Sequence, residues 1–304
     1  MISHLLVPLD GSALAESVLP AVTYLAETFN TRVTLVHVIE QNPPSEVHGQ
    51  PHLRTPDDAQ NYLEEIARRA LPEGVAVEYH VHTSAVQDVA KSIVDHVEEF
   101  ATDLIVMCTH GHGGPREWLF GSIAQQVIGL GSTPVLLIQP NGTGQFREFH
   151  CGSMLIPLDG NPAHEGSLPV VAEFARSCHS RVHLLMVVPT FGTVSGQLTV
   201  ISRLMPGSTS KMLDMAVKSA EEYLQVHEDD LRDSGIDVSH EVQRGDPASL
   251  IESTASELKV DVIIFGTHGK AGADAFWSGS VTSKVCKNCH IPLLLIPVHG
   301  EQKK

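Results

Sequence analysis

The sequence predicts an α/β protein made of two tandem doubly wound parallel sheets, five strands in each. Three observations carry this. The chain repeats itself: "HLLVPLDGS" (residues 4–12) returns as "SMLIPLDGN" (residues 153–161), with Asp10 matched by Asp159, 149 residues on. "TDLIVMCTHGHGGPREWLFGS" (residues 102–122) returns as "VDVIIFGTHGKAGADAFWSGS" (residues 260–280), 158 residues on, so the second copy carries nine extra residues in its middle. Short apolar runs such as 33–39, 104–107 and 135–138 are nearly continuous, the mark of strands covered on both faces. Between those runs lie helical patterns, so each copy reads β-α-β-α-β-α-β-α-β. A chain of 304 residues agrees with about two domains.

Each element has a local reason. Leu14, Val18, Val22, Leu25 and Phe29 recur at helical spacing after Ser12, a natural N-cap. Thr55, Pro56 and Asp58 form a second helix start. "STPVLLIQP" and "HIPLLLIP" close the copies as similar apolar strands, and such edges need cover. Gly, Asn and Pro cluster after the first of these. The expected division is 1–140 for the first domain, 141–151 for a linker and 152–304 for the second domain.

Composition narrows the function. The net charge of -16 argues against a nucleic-acid partner, which needs a basic face. The chain opens directly into a strand-like run, so a signal peptide is not expected, and no apolar run reaches the roughly 18 residues of a membrane helix. Five cysteines without a secretion signal point to reduced thiols in the cytoplasm.

The stretch "FGTHGKAGADAFWSGS" (residues 265–280) places a glycine-rich loop between a strand and a helix. Glycine lets a backbone approach something bulky. Ligands of doubly wound sheets bind beyond the carboxyl ends of the strands. There the second copy gathers Asp159-Gly160, Gly245-Asp246-Pro247 and this loop. A helix N-terminus with bare N–H groups receives anions, and an acidic chain needs such a local device because its overall field repels them. Lys270 and His268 are placed to assist.

The spacing Gly266-x2-Gly269-x9-Gly279-Ser280, with the openings "PLDGS" and "PLDGN", resembles the ATP-binding motif of the universal stress protein family, twice and over nearly the whole chain. The resemblance implies an adenine-nucleotide-hydrolase-like fold of strand order 3-2-1-4-5. It also implies ATP, with or without Mg2+, between strands one and four. It implies pairing of the two halves through their fifth strands as an intramolecular pseudo-dimer, and leaves a homodimer open. Carried over residue by residue, Asp159 would hold the adenosine end and Val187 would contact adenine through its backbone. Gly266, Gly269, Gly279 and Ser280 would hold ribose and phosphates, with Gly245, His268 and Val281 beside them. In the first copy Asp10, Val38, Gly111, Gly121 and Ser122 match. Cys108 stands there in place of the first motif glycine and Gln87 in place of Gly245, so the second copy is expected to be the better site.

Other signals weigh less. "CKNCH" (residues 286–290) has the haem-attachment spacing, but the repeat puts Cys286 at the place of Ile128 and Cys289 at that of Gly131, ordinary helix-packing and helix-end positions. His80 and His82 face one way on a strand, and His48 and His52 lie in a polar loop. None has an obvious third ligand nearby in sequence, so they read as solvated surface and no metal site is expected. No dedicated base or metal-binding carboxylate pair accompanies Asp10 or Asp159, so any ATP hydrolysis is expected to be slow. The expected role is a stress-response switch or protective factor. The alternatives are a dimerising interaction module without nucleotide, or a metal-binding protein or true ATP hydrolase.

Overall fold

The computed structural model describes residues 2–109, 122–140, 148–194, 204–268 and 280–298. Its contacts divide the chain into two compact units, and residues 2–150 form the body of the first.

In the first unit the order is β1 (His4–Pro8), α1 (Leu19–Phe29), β2 (Arg32–Glu40), β3 (Glu46–Val47), β4 (Gln50–Pro51), α2 (Pro56–Ala70), β5 (Val77–Val86), α3 (Val89–Phe100), β6 (Leu104–Cys108), α4 (Ser122–Leu130) and β7 (Val135–Ile138). The strands lie in the order β5-β2-β1-β6-β7, which is 3-2-1-4-5 in the numbering of one copy. All of these pairs are parallel. Burial follows the expected logic: β2 is buried from Val33 to Ile39, whereas the edge strand β5 is half exposed.

Ser12 does accept a hydrogen bond, from the Ala15 N–H at 3.1 Å. The α-helix nevertheless starts only at Leu19, after a 3-10 turn over Ala15–Val18. Pro20 explains the delay, because it has no N–H to continue an α-helical ladder from upstream. Thr55 caps α2 as expected, accepting from the Asp58 N–H at 3.1 Å, with Pro56 in the first turn. The hairpin β3–β4 was not legible in advance. His48 and Gly49 turn it with φ of 50° and 78°, and φ above zero at both central residues suits the right-handed twist of a two-residue hairpin.

The second unit contains β8 (Ser153–Leu158), α5 (Pro162–Glu165), α6 (Leu168–Ser177), β9 (Arg181–Val188), α7 (Pro206–Asp233), β10 (Asp237–Arg244), α8 (Pro247–Glu257), β11 (Val262–His268) and α9 (Val281–Asn288). Its strands lie β10-β9-β8-β11, again parallel. Helix α7 has 28 residues where α2 has 15, which takes up added length of the second copy. The last strand, β12 (Leu293–Val298), groups by its contacts with the first unit through residue 297. There Leu293, Leu294 and Leu295 pair antiparallel with Leu137, Leu136 and Val135 of β7, which covers an apolar edge. Among the described residues no helix is long and apolar enough to cross a membrane.

Candidate functional site

The first unit has a cavity of about 200 Å³ at the carboxyl ends of its parallel strands. The end of β1 contributes Leu9 and Asp10, β2 contributes His37 and Val38, β6 contributes Met107 and Cys108, and α4 opens onto it with Ser122 and Ile123. Chain direction alone gathers these residues, since parallel strands carry all their carboxyl ends to one edge. Three of the five first-copy positions assigned from sequence, Asp10, Val38 and Ser122, thus line one cavity. The other two, Gly111 and Gly121, lie outside the described residues. Asp10 is set by its own turn: its carboxylate accepts from the Ser12 N–H at 2.9 Å. Cys108 lines the wall as a buried side chain.

Two cavity residues escaped the sequence reading. His37 is 2 % exposed, and its Nδ1 lies 2.7 Å from the Leu9 carbonyl oxygen. A carbonyl only accepts, so Nδ1 carries the proton and Nε2 presents a lone pair. That Nε2 is buried with no hydrogen-bond partner among the described residues. Burial holds the imidazole below its usual pKa and so neutral. His52, expected to be solvated, is instead buried: Nδ1 donates to the Leu53 carbonyl at 3.0 Å, and Nε2 stands 3.4 Å from Glu40. The hairpin brings it there. Leu53, just beyond, lies so close to Gly11 that a Cβ at that position would meet it at 2.9 Å, and Gly11 also has φ of 89°. Glycine is therefore required at Gly11 twice over.

In the second unit Asp159 ends β8, Val187 lies in β9, Gly245 follows β10, Gly266 lies in β11, and Ser280 and Val281 open α9. All lie at the same end of that parallel sheet. The Asp159 carboxylate accepts from the Asn161 N–H at 3.0 Å and from His164 Nδ1 at 2.9 Å. Burial alone would raise its pKa, but these hydrogen bonds and the His164 charge outweigh it and hold the carboxyl below the usual range. Ser280 caps α9 by accepting from the Ser283 N–H at 3.1 Å.

One motif glycine has a packing reason of its own: a Cβ on Gly266 would meet the His164 backbone carbonyl at 2.9 Å, whereas one on Gly245 would meet only the movable tip of the Leu250 side chain. Gly269 and Gly279 lie outside the described residues, as does the side chain of His268.

The "CKNCH" cysteines are packed as the repeat implied. Cys286 is 1 % exposed within α9, and Cys289 is buried at its C-cap. The expectation of solvated His80 and His82 does not hold. Both are half-buried and face His96, a buried residue of α3. Sequence reading missed this because His96 arrives from a helix, 14 residues beyond His82.

A profile of the universal stress protein family matches residues 1–139 and 152–297. A universal stress protein of Mycolicibacterium smegmatis is 23% identical over 302 residues, covering 96% of this chain and 96% of its own. One from Methanocaldococcus jannaschii is 29% identical over 160 residues, covering 51% of this chain and 85% of its own. Among solved structures, a universal stress protein from Archaeoglobus fulgidus superposes with a TM-score of 0.68 at 18% identity, covering 97% of this chain and 98% of that one. With the profile matched once in each half and the α/β order repeated in both, the chain belongs to the universal stress protein family, as a tandem of two domains.

Proposed function

We propose that this protein binds adenine nucleotide, ATP with or without Mg2+, and works as a cytoplasmic stress-response switch or protective factor with at most slow hydrolysis. The observation that carries the reading is the first unit's cavity, where Asp10, Val38 and Ser122 meet at the carboxyl ends of the strands. Apolar walls from Ile93, Met107 and Ile123 suit the faces of a purine. The amino end of α4, at Ser122, suits phosphate because the dipole of a helix favours an anion there. The lone pair of His37 Nε2 has no partner among the described residues, and it suits an N–H donor such as the exocyclic amine of adenine. An inosine nucleotide presents a carbonyl oxygen at that position and leaves two acceptors facing one another. The expectation that the second copy binds more tightly is kept as part of this proposal; it rests on Gly266 and Gly245, where the first copy has Cys108 and Gln87.

Calorimetric titration tests the reading. ATP should bind, and ITP should bind about 10-fold or more weakly, the cost of leaving a buried polar group unpaired. Asp10→Ala and Asp159→Ala should each weaken one site. Absence of adenine nucleotide from denatured protein, together with no heat on adding millimolar ATP, would overturn it.

A further inference from the structure

We propose that the first unit carries a divalent-metal site built from three imidazoles, His80 and His82 on β5 and His96 on α3, suited to an ion of the zinc class. One ligand nitrogen from each ring can be chosen so that all three lie within 4.8 Å of one another. His80 Nε2 and His96 Nε2 are 2.8 Å apart. The ring centroids of His80 and His82 lie 4.5 Å and 5.0 Å from that of His96. Three nitrogens at about 2.0–2.1 Å from a tetrahedral zinc ion stand roughly 3.4 Å from one another, between the 2.8 Å of the His80–His96 nitrogen pair and the 4.8 Å that bounds the whole set.

The surroundings match what such a site needs. His96 Nδ1 lies 2.5 Å from the Ser92 carbonyl, which can only accept, so the proton sits on Nδ1 and Nε2 is the lone pair turned to the other rings. A histidine ligand held through its far nitrogen by a backbone carbonyl is the usual supporting arrangement. Phe100 walls one side, its ring 5.0 Å from His80 and 5.5 Å from His96. His80 and His82 are half-buried on an edge strand, so an ion has a way in and a fourth position stays open to water.

The second unit supplies the internal control. His80 and His82 pair with Val36 and Val38 of β2. The repeat partners of those valines, Leu185 and Val187, pair with Glu241 and Gln243. His96 lies eight residues after the helix cap Asp88, and Thr254 lies eight after the cap Asp246. The same three places therefore hold Glu241, Gln243 and Thr254. There Gln243 Nε2 donates to Thr254 Oγ at 3.0 Å and to Glu241 at 2.8 Å. The fold closes this corner with an ordinary polar network in one unit, so it does not itself require three imidazoles in the other. Imidazole donors select zinc, copper, nickel or cobalt over magnesium or calcium.

The test uses the full chain without an affinity tag, stripped of metal, and no nucleotide, so its outcome is independent of the nucleotide reading. Titration with Zn2+ should show one tight ion per chain and raise the unfolding midpoint, and Co2+ should give the intense visible absorption of a four-coordinate ion. His82→Gln with His96→Thr installs the second unit's residues and should lower affinity by at least about 100-fold. His82→Gln alone, at a half-buried position, should give a clear loss in the same direction if the double variant folds poorly. Absence of a stoichiometric ion in the natural chain, or equal binding by the variants, would overturn the proposal.

Discussion

Gly266 is glycine because a backbone passes over it, and this has a measurable consequence. A Cβ added there would stand 2.9 Å from the His164 carbonyl oxygen and 3.3 Å from His164 Cα, whereas ordinary contact begins at 3.4 Å. The carbonyl must therefore retreat by about half an ångström, and it is not free to do so. It accepts from Ser167 Oγ at 2.7 Å and from the Ser167 N–H at 3.1 Å, while the His164 ring is held by Asp159. Gly266→Ala should cost about 1–3 kcal/mol, the range for overpacking a fitted site. For a unit of this size that is roughly 2–4 °C of melting temperature per kcal/mol.

The first copy shows how the position can be filled. Cys108 stands at the place of Gly266, and Ala15 at the place of His164. His164→Ala removes the anchor to Asp159 and lets the turn relax, so it should recover part of the loss when combined with Gly266→Ala. A double-mutant cycle by urea unfolding measures the coupling. A single Gly266→Ala variant within about 0.5 kcal/mol of the natural chain, or strict additivity of the pair, would refute the reasoning.

Two further predictions rest on burial. Cys286→Ala with Cys289→Ala should cost about 1–3 kcal/mol through lost packing. The natural thiols should react slowly with a disulfide reagent until the protein unfolds, because burial pushes the Cys286 pKa well above its usual value; prompt reaction of the native protein would contradict this. His4, His37 and His183 are each held below the usual imidazole value of 6.5, with burial as the largest cause. Unfolded, they take up protons near 6.5, but folded only at lower pH, so the unfolded state binds more protons in between. Stability should be full above pH 6.5 and fall as the pH drops through the folded values. An unfolding midpoint that holds steady or rises between about pH 7 and about pH 5 would exclude this contribution.

The repeat, the strands and their parallel arrangement were legible in the sequence because their causes are local. Continuous apolar runs such as 33–39 can only be strands covered on both faces, and Thr55-Pro56 announces a helix start whatever surrounds it. The family followed from the spacing of glycines whose order the chain repeats. The start of α1 was read one turn early because Pro20 lies within an otherwise helical pattern. Only tertiary structure decided which side chains meet. His96 reaches His80 and His82 through the register of β5 and the docking of α3, and His37 and His52 converge because a hairpin folds back over β2. Gly266 owes its size to the backbone of α5, about a hundred residues away in the chain. Periodicity reports what a residue's own segment does, whereas a site is made where segments far apart in sequence come within a few ångströms. That meeting depends on strand register and helix docking, and no single segment encodes either one.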